Sequence, residues 1–96
     1  MRNVNKELLH EIVGGESYEY YPIGKYIVVA PGVCGDRPTF KYTRIDVRHA
    51  LRLLVAGRTV EEVANSYQIP IEAVKEALQL ASQAFDQYVE GSTRVA

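Results

Sequence analysis

The spacing of apolar residues changes near residue 46, and the second half of the chain has the stronger pattern. From there apolar side chains recur every three or four residues, which is typical of amphipathic helices. The pattern predicts one helix over residues 46–57, a second over 59–67 and a third from 71 to about 89. The second half is therefore predicted to be three consecutive helices.

The residues at the ends of these helices support the assignment. Asp46 is a suitable N-cap because its carboxylate can accept the free amides of a first turn, and Gly57 provides a C-terminal stop. Thr59 and Glu62 have the spacing of a capping box, which opens the second helix. Pro70 suits the first turn of the third helix, where its missing N–H is tolerated.

The first half of the chain has shorter and weaker patterns. Residues 4–13 carry apolar side chains at a helical spacing, and the glycine pair that follows would end that helix. The β-branched run at residues 26–30 predicts a strand, and residues 39–45 alternate enough for a second short strand. Because the predicted strand content is small, we expect an arm or a two-stranded ribbon rather than a sheet.

Residues 60–79 resemble a helix-turn-helix, in which two short helices cross over a small shared core. Ala64 is small enough for that close approach, and Gln68 stands where the turn usually has glycine. The outward face of the second helix would carry Glu72, Lys75, Glu76 and Gln79. Base reading in the major groove favours Arg, Lys, Asn or Gln, so two carboxylates there count against ordinary base reading.

The charge is divided along the chain, although the net charge is only −1. Residues 36–58 carry six cations and two acids, whereas residues 59–96 carry two cations and six acids. Cations can bind phosphates without reading bases, and an exposed arm can reach a groove. The candidate DNA-binding residues are Arg37, Lys41, Arg44, Arg48 and Arg52. The alternative is that the same arginines form a solvated face or pair with the acidic third of the chain.

The third helix also carries a seven-residue apolar repeat. From the middle of the helix onward its members are Leu78, Ala81, Phe85 and Tyr88. A three-helix core needs only the first half of this helix, so the remaining apolar side chains must be covered by the N-terminal helix or by a second subunit. We expect a homodimer whose interface contains these four residues.

The N-terminal part contains three closely spaced tyrosines, namely Tyr18, Tyr20 and Tyr21. Tyrosine rings can stack on bases or form a contact patch. They can equally pin the N-terminal segment onto the helical domain or onto a second subunit. The sequence favours the second interpretation and leaves the first open.

Composition limits the class of protein. A chain of 96 residues suits one domain with a modest core, and 47% apolar and 24% charged residues are ordinary for a soluble globular protein. No run approaches the ~20 apolar residues of a membrane span. The N-terminus lacks the apolar core of a signal peptide. We therefore expect a cytoplasmic protein that does not enter the membrane.

Candidate catalytic chemistry is sparse. Cys34 is the single cysteine, and it has no base or further metal ligand at short spacing. The sequence has no glycine-rich phosphate loop, paired-carboxylate signature or nucleophile elbow. We expect a protein that is not an enzyme and has no catalytic residue, metal or cofactor. An enzyme centred on Cys34 would need a histidine beside it in a cleft.

One stretch carries a family resemblance. The run PGVCGDRPTFKYTRIDV, followed by LRLLVAGRTVEEVANSYQIPIEAVKEALQLA, is similar to the family called domain of unknown function 433, over about residues 26–85. The resemblance implies a homeodomain-like three-helix fold in small bacterial and archaeal proteins, some of them grouped with VapB-like antitoxins. Such antitoxins are expected to bind their own operator DNA and to mask a ribonuclease toxin. Asp36 and Tyr42 stand where glycine is common in the family, and tyrosine disfavours positive φ.

These observations predict a mainly α fold. We expect a three-helix, homeodomain-like bundle with a helix-turn-helix in residues 31–96, preceded by a short N-terminal helix and a small β arm in residues 1–30, all in one compact unit. The expected function is that of an antitoxin-like or transcription-regulator-like homodimer that binds DNA. The alternative is a protein–protein interaction module, binding a toxin or another partner, with a degenerate helix-turn-helix and no DNA binding.

Overall fold

The computed structural model describes the backbone of residues 7–95 and the side chains of residues 7–89. The strands are β1 (Leu9–Val13), β2 (Glu16–Pro22), β3 (Ile27–Val29) and β4 (Thr39–Phe40). The helices are α1 (Val47–Val55), α2 (Val60–Tyr67) and α3 (Ile71–Val95). The four strands form one antiparallel sheet in the order β1-β2-β3-β4. The fold is therefore a mixed one, a sheet followed by three helices.

The prediction of a mainly α protein with a small β arm is wrong, and the N-terminal helix is the main error. Leu9–Val13 is strand β1, and residues 4–6 of the predicted helix lie outside the described part of the chain. Gly14 and Gly15, with φ of 58° and 82°, make a two-residue turn that pairs Val13 with Glu16. Positive φ at both turn residues is the signature of a hairpin turn, because its twist matches that of the strands. The glycine pair thus joins two strands instead of ending a helix.

The two predicted strands are present with different lengths. β3 lies inside the predicted strand at residues 26–30, whereas β4 covers only two of the seven residues predicted at 39–45. Beyond β4 the chain turns, because the Thr43 hydroxyl donates to the Phe40 carbonyl at 2.7 Å and accepts from the Ile45 amide at 3.0 Å. A local side-chain hydrogen bond of this kind competes with strand pairing.

The three predicted helices are confirmed together with their caps. Asp46 accepts the Arg48 amide at 2.8 Å, and Thr59 and Glu62 exchange the two hydrogen bonds of a capping box at 2.9 and 3.0 Å. Gln68 ends α2 in the left-handed region, with φ of 57° and ψ of 46°. α3 continues to Val95, beyond the predicted end near residue 89.

The buried side chains form two neighbouring clusters. The larger joins the sheet to all three helices and contains Ile27, Phe40, Val47, Ala50, Val63, Ala64, Ala73, Val74 and Ala77. The smaller lies within the sheet and contains Tyr20, Val28 and Ala30. Because β3 supplies residues to both clusters, the sheet is part of the core rather than an arm attached to it.

Candidate functional site

Two of the predicted DNA-binding residues meet at one carboxylate. Asp46 accepts a hydrogen bond from Nε of Arg37 at 2.8 Å, and its other oxygen lies 3.9 Å from Nε of Arg48. The Asp46 side chain is only 8% exposed, whereas those of Arg37 and Arg48 are 46% and 57% exposed. Because both contacts use Nε, the terminal amino groups of the two guanidiniums remain free of carboxylate partners among the described residues.

The Asp46 carboxylate is held in its charged form. Burial alone would raise the pKa of this carboxyl, but the hydrogen bond from Arg37, the Arg48 amide and the charges of both guanidiniums lower it below its usual value. The same pairing raises the pKa of Arg37. Asp46 therefore serves both as the cap of α1 and as the anchor of two arginines.

A strained turn fixes the position of Arg37. Cys34, Gly35 and Asp36 have φ of 51°, 62° and 63°, three successive left-handed residues of which only the glycine adopts this conformation without cost. The amide of Gly32 donates to the Asp36 carboxylate at 2.7 Å, which closes the turn. A Cβ on Gly35 would lie 3.2 Å from a terminal nitrogen of Arg37, so the guanidinium packs directly over this glycine.

Lys41 is enclosed by other side chains. Its ammonium lies 3.2 Å from the Glu11 carboxylate, and 4.7 and 5.0 Å from the ring centroids of Tyr20 and Tyr42. Burial would lower the pKa of Lys41, but its contacts with Tyr20, Glu11 and Tyr42 raise it above its usual value. Since the charge is already neutralised by Glu11, the structure places Lys41 in an internal cluster and not on an open phosphate-binding surface.

The same cluster pins the β1–β2 hairpin to the rest of the chain. Tyr20 and Tyr42 both donate their hydroxyls to Glu11, Tyr42 at 2.7 Å, and the Tyr42 amide donates to the Tyr18 hydroxyl at 2.9 Å. The ring centroids of Tyr18 and Tyr42 are 5.3 Å apart. Tyr42 has φ of 69°, so a tyrosine holds the left-handed conformation that glycine would adopt without strain. Tyr18 and Tyr20 thus hold the hairpin to the loop after β4, whereas the predicted contact was with the helices or with a second subunit.

Arg44 and Arg52 are the two predicted DNA-binding residues that lie on the surface without a carboxylate partner among the described residues. Both are exposed and form no ion pair with any described residue. Arg44 lines an open cleft of about 740 Å³ between β2 and the segment from residue 30 to 44. Its carbonyl accepts a hydrogen bond from the Cys34 thiol at 3.0 Å. The partner of Cys34 is thus a backbone carbonyl and not a histidine.

The exposed face of the first half of α3 differs from the prediction at one position. Glu72, Lys75 and Gln79 are exposed as expected. Glu76 is instead turned toward the sheet, where its carboxylate accepts the backbone amides of Lys25 and Tyr26 at 2.8 and 2.7 Å. The outward face therefore carries one carboxylate fewer than the sequence indicated.

The predicted dimer residues lie on the uncovered part of α3. Leu78, Phe85 and Tyr88 are 40%, 63% and 70% exposed, and Ala81 is exposed as well. None of the four side chains is buried by the other described segments.

Some kinds of site are missing from the described part of the chain. The side chains of residues 7–89 include no group of three or more His, Cys, Asp or Glu arranged to hold a metal ion. No helix in this part is long and apolar enough to cross a bilayer.

Three carboxylates have roles that the sequence analysis missed. Asp46 was predicted as a cap but not as the anchor of Arg37 and Arg48, Glu76 was placed on the outward face, and Glu11 was assigned to a helix. Each binds residues distant in the chain or on another element. Local spacing carries no signal for such contacts.

A family model described as "Protein of unknown function (DUF433)" matches residues 27–81. No curated protein and no solved structure matches the chain. The matched segment begins at β3 and ends inside α3, so the β1–β2 hairpin and the exposed second half of α3 lie outside it. The Asp46 cluster, which consists of Asp46, Arg37 and Arg48, lies within it.

Proposed function

The chain belongs to the DUF433 family, and we propose that it is a homodimeric, antitoxin-like DNA-binding regulator that binds the phosphate backbone through the arginines around the start of α1. The observation that carries this proposal is the Asp46 cluster. One buried carboxylate holds Arg37 by a hydrogen bond to Nε and lies 3.9 Å from Nε of Arg48, which leaves the terminal amino groups of both arginines for another anion. Guanidinium groups held in this way are suited to phosphate oxygens, which they bind in a bidentate manner.

The neighbouring arginines extend the proposed contact. Arg44 and Arg52 are exposed and have no carboxylate partner within the described part of the chain. Lys41 is left out of the proposed contact because Glu11 already neutralises it. Phosphate contacts of this kind give affinity and orientation without base identity.

The connection between α2 and α3 suits the helix-turn-helix form of the proposal. Three residues separate the two helices, and Gln68 has the left-handed conformation usually supplied by glycine in that turn. With Glu76 withdrawn toward the sheet, Lys75 and Gln79 remain exposed on α3 as side chains of the kinds that read bases. In the antitoxin form of the proposal, the homodimer also masks a toxin protein.

Fluorescence anisotropy tests the DNA contact. The full chain is titrated onto labelled DNA from upstream of its own gene, with scrambled DNA as the control, over a series of salt concentrations. We expect tighter binding to the native DNA and an affinity that falls steeply with salt, because phosphate contacts release counterions. No binding even at low salt would overturn the proposal.

Single substitutions then test the residues. Arg37→Gln, Arg48→Gln and Arg52→Gln should each lower the slope of log K against log salt by about 1, as expected for the loss of one phosphate contact. Lys25→Gln is the matched control, since it removes an exposed cation outside the proposed contact. If Lys25→Gln lowered the slope by the same amount, the salt dependence would reflect only the net charge of the protein and not contacts at these arginines.

A second candidate function is a protein-interaction module without DNA binding. The observation that favours it is that three acids of α2 and α3, Glu61, Glu62 and Glu72, are exposed. Carboxylates here would face phosphates if α3 entered a groove. Glu72→Arg separates the two functions: DNA affinity should rise if α3 lies in a groove and stay unchanged if α3 contacts a protein.

A further inference from the structure

The second half of α3 carries a stripe of exposed apolar side chains. Every residue from 81 to 89 is exposed, and the stripe of Leu78, Ala81, Phe85 and Tyr88 runs along one face. Between residues 78 and 89 the only charged side chain is that of Asp86. Two aromatic rings on so weakly charged a helix are the mark of a surface that is covered by protein.

A groove opens beside the first half of this stripe. It has a volume of about 210 Å³, and β3, α1 and α3 contribute apolar walls to it. Leu51 of α1 forms one wall, and Ala77, Leu80 and Ala81 form the wall on α3. Ala81 therefore belongs both to the groove and to the exposed stripe.

We propose that a second copy of this chain packs antiparallel along α3, so that Phe85 of each copy covers Ala81 and enters the groove of the other. In an antiparallel helix pair the two alternating positions of a seven-residue repeat face each other. With the two-fold axis beside Gln83, Ala81 faces Phe85 and Leu78 faces Tyr88 of the second copy. The inference rests on the homodimer of the proposed function and assigns its geometry.

Side-chain size favours this arrangement over the parallel one. The antiparallel layers match the smallest side chain of the stripe with an aromatic ring, and they fill the groove. Parallel helices would set Phe85 against Phe85 and Ala81 against Ala81, which leaves a void in one layer and crowds the other. The same surface supplies both the ring and the groove, as a two-fold symmetric interface requires.

The exposed area of Phe85 and Tyr88 is a substantial part of what a stable dimer interface buries. Phe and Tyr bury roughly 150–250 Å² each when fully covered. At 63% and 70% exposure, the four aromatic side chains of a dimer would therefore supply roughly 400–700 Å². A stable interface buries about 1,200–2,000 Å² in total, and the groove walls, Leu78 and Val89 add to the aromatic share.

The charges around the contact are complementary. Arg48 lies at the groove, and Asp86 follows the Phe85 that would fill it. The two are opposite in sign, so the approach of Asp86 to Arg48 would be attractive. A guanidinium has five N–H donors, so Arg48 can contact Asp86 of the second copy and still present donors to phosphate.

Sedimentation equilibrium of the full chain tests the proposal. We expect a dimer whose Kd rises about tenfold or more in Phe85→Ala and in Tyr88→Ala, as for buried aromatic anchors of an interface. Val55→Ala is the matched control, because Val55 is 89% exposed and lies on α1 outside the stripe. Phe85 is 63% exposed and belongs to neither core cluster, so the variants should keep the circular dichroism spectrum of the parent. A monomer at all concentrations, or a dimer indifferent to Phe85→Ala, would overturn the proposal. The proposal would also be overturned if the chain bound another protein but did not associate with itself.

A distance measurement distinguishes the two helix directions. Spin labels are attached at Lys75→Cys in a Cys34→Ser background. A rise of 1.5 Å per residue puts the two labels about 24 Å apart along an antiparallel pair and only about 10 Å apart in a parallel pair. The short distance would overturn the antiparallel arrangement. If the dimer persists but the protein does not bind DNA, the proposed function has failed and this inference stands.

Discussion

Glu76 on α3 accepts a hydrogen bond from the backbone amide of Tyr26 at 2.7 Å. The same carboxylate accepts the amide of Lys25 at 2.8 Å, so one side chain ties the turn before β3 to the helix. Gly24 lies against this contact, and a Cβ there would come within 2.6 Å of the carboxylate atoms. The close approach explains why this turn has glycine although its φ is not positive.

Substitutions on the two sides of this contact should be coupled. Glu76→Ala leaves two amides without their charged acceptor and should lower the free energy of unfolding by roughly 2 kcal/mol. Gly24→Ala should lower it by roughly 1–3 kcal/mol, because the carboxylate cannot move without losing its hydrogen bonds. Urea unfolding of both single variants and the double variant measures the coupling.

The double variant should lose less than the sum of the single variants, since the alanine at 76 makes room for the one at 24. Glu72→Ala is the control, one turn earlier on the same helix and exposed, with an expected change within about 0.5 kcal/mol. Strict additivity would contradict the contact.

Thr39 has a buried hydroxyl without a hydrogen-bond partner in the described structure. Removing an unsatisfied polar group while keeping the shape of the side chain relieves its desolvation cost. We expect Thr39→Val to raise the free energy of unfolding by roughly 1 kcal/mol. Thr43→Val is the contrasting variant, because it removes hydrogen bonds to Phe40 and Ile45 and should destabilise. A loss of stability in Thr39→Val would show that its hydroxyl has a partner.

Gln68 adopts a left-handed conformation at the end of α2, with φ of 57°. Glycine has no Cβ to strain there, so Gln68→Gly should stabilise the fold by roughly 0.5–1 kcal/mol in thermal or urea unfolding. Gln79→Gly makes the same chemical change inside α3 at an exposed site and should cost about 1 kcal/mol. If the two variants change the free energy of unfolding in opposite directions, the left-handed conformation of Gln68 is confirmed. If both variants lose the same stability, it is contradicted.

The helices could be predicted because their determinants are local. Thr59 and Glu62 are three residues apart, and Asp46 immediately precedes the helix that it caps. The spacing of apolar residues, the cap residues and the helix breakers predict the bounds of the helices directly from the sequence. The prediction required no knowledge of what the helices pack against.

The sheet could not be predicted because it depends on pairing between segments. Residues 9–13 have a helical spacing of apolar side chains, and they become a strand only because Glu16–Pro22 pairs with them. Five residues are too few for periodicity to decide between helix and strand. The Asp46 cluster was missed for a related reason, since Arg37 reaches it across β4 and the turn that follows.

Glu11 makes the stability of the fold depend on pH. Hydrogen bonds from Tyr20, Tyr42 and Lys41 lower the pKa of Glu11 from 4.5 to about 2. A carboxyl whose pKa is depressed in the folded state stabilises the fold above its unfolded pKa, and this contribution is lost as pH falls. The stability from Glu11 should therefore be complete above about pH 5 and disappear between pH 4.5 and 2.

Urea unfolding of the parent and Glu11→Gln over that range measures this contribution. The variant should be less stable than the parent at pH 7, and the difference should shrink toward pH 2, where the parent carboxyl is protonated too. Asp46 acts in the same direction, since its pKa is also lowered, but it is present in both proteins and cancels in the difference. Glu19→Gln is the control, an exposed carboxylate of β2 with no ion pair to the described residues. A difference between Glu11→Gln and the parent that does not change with pH would mean that Glu11 does not hold the hairpin through its charge.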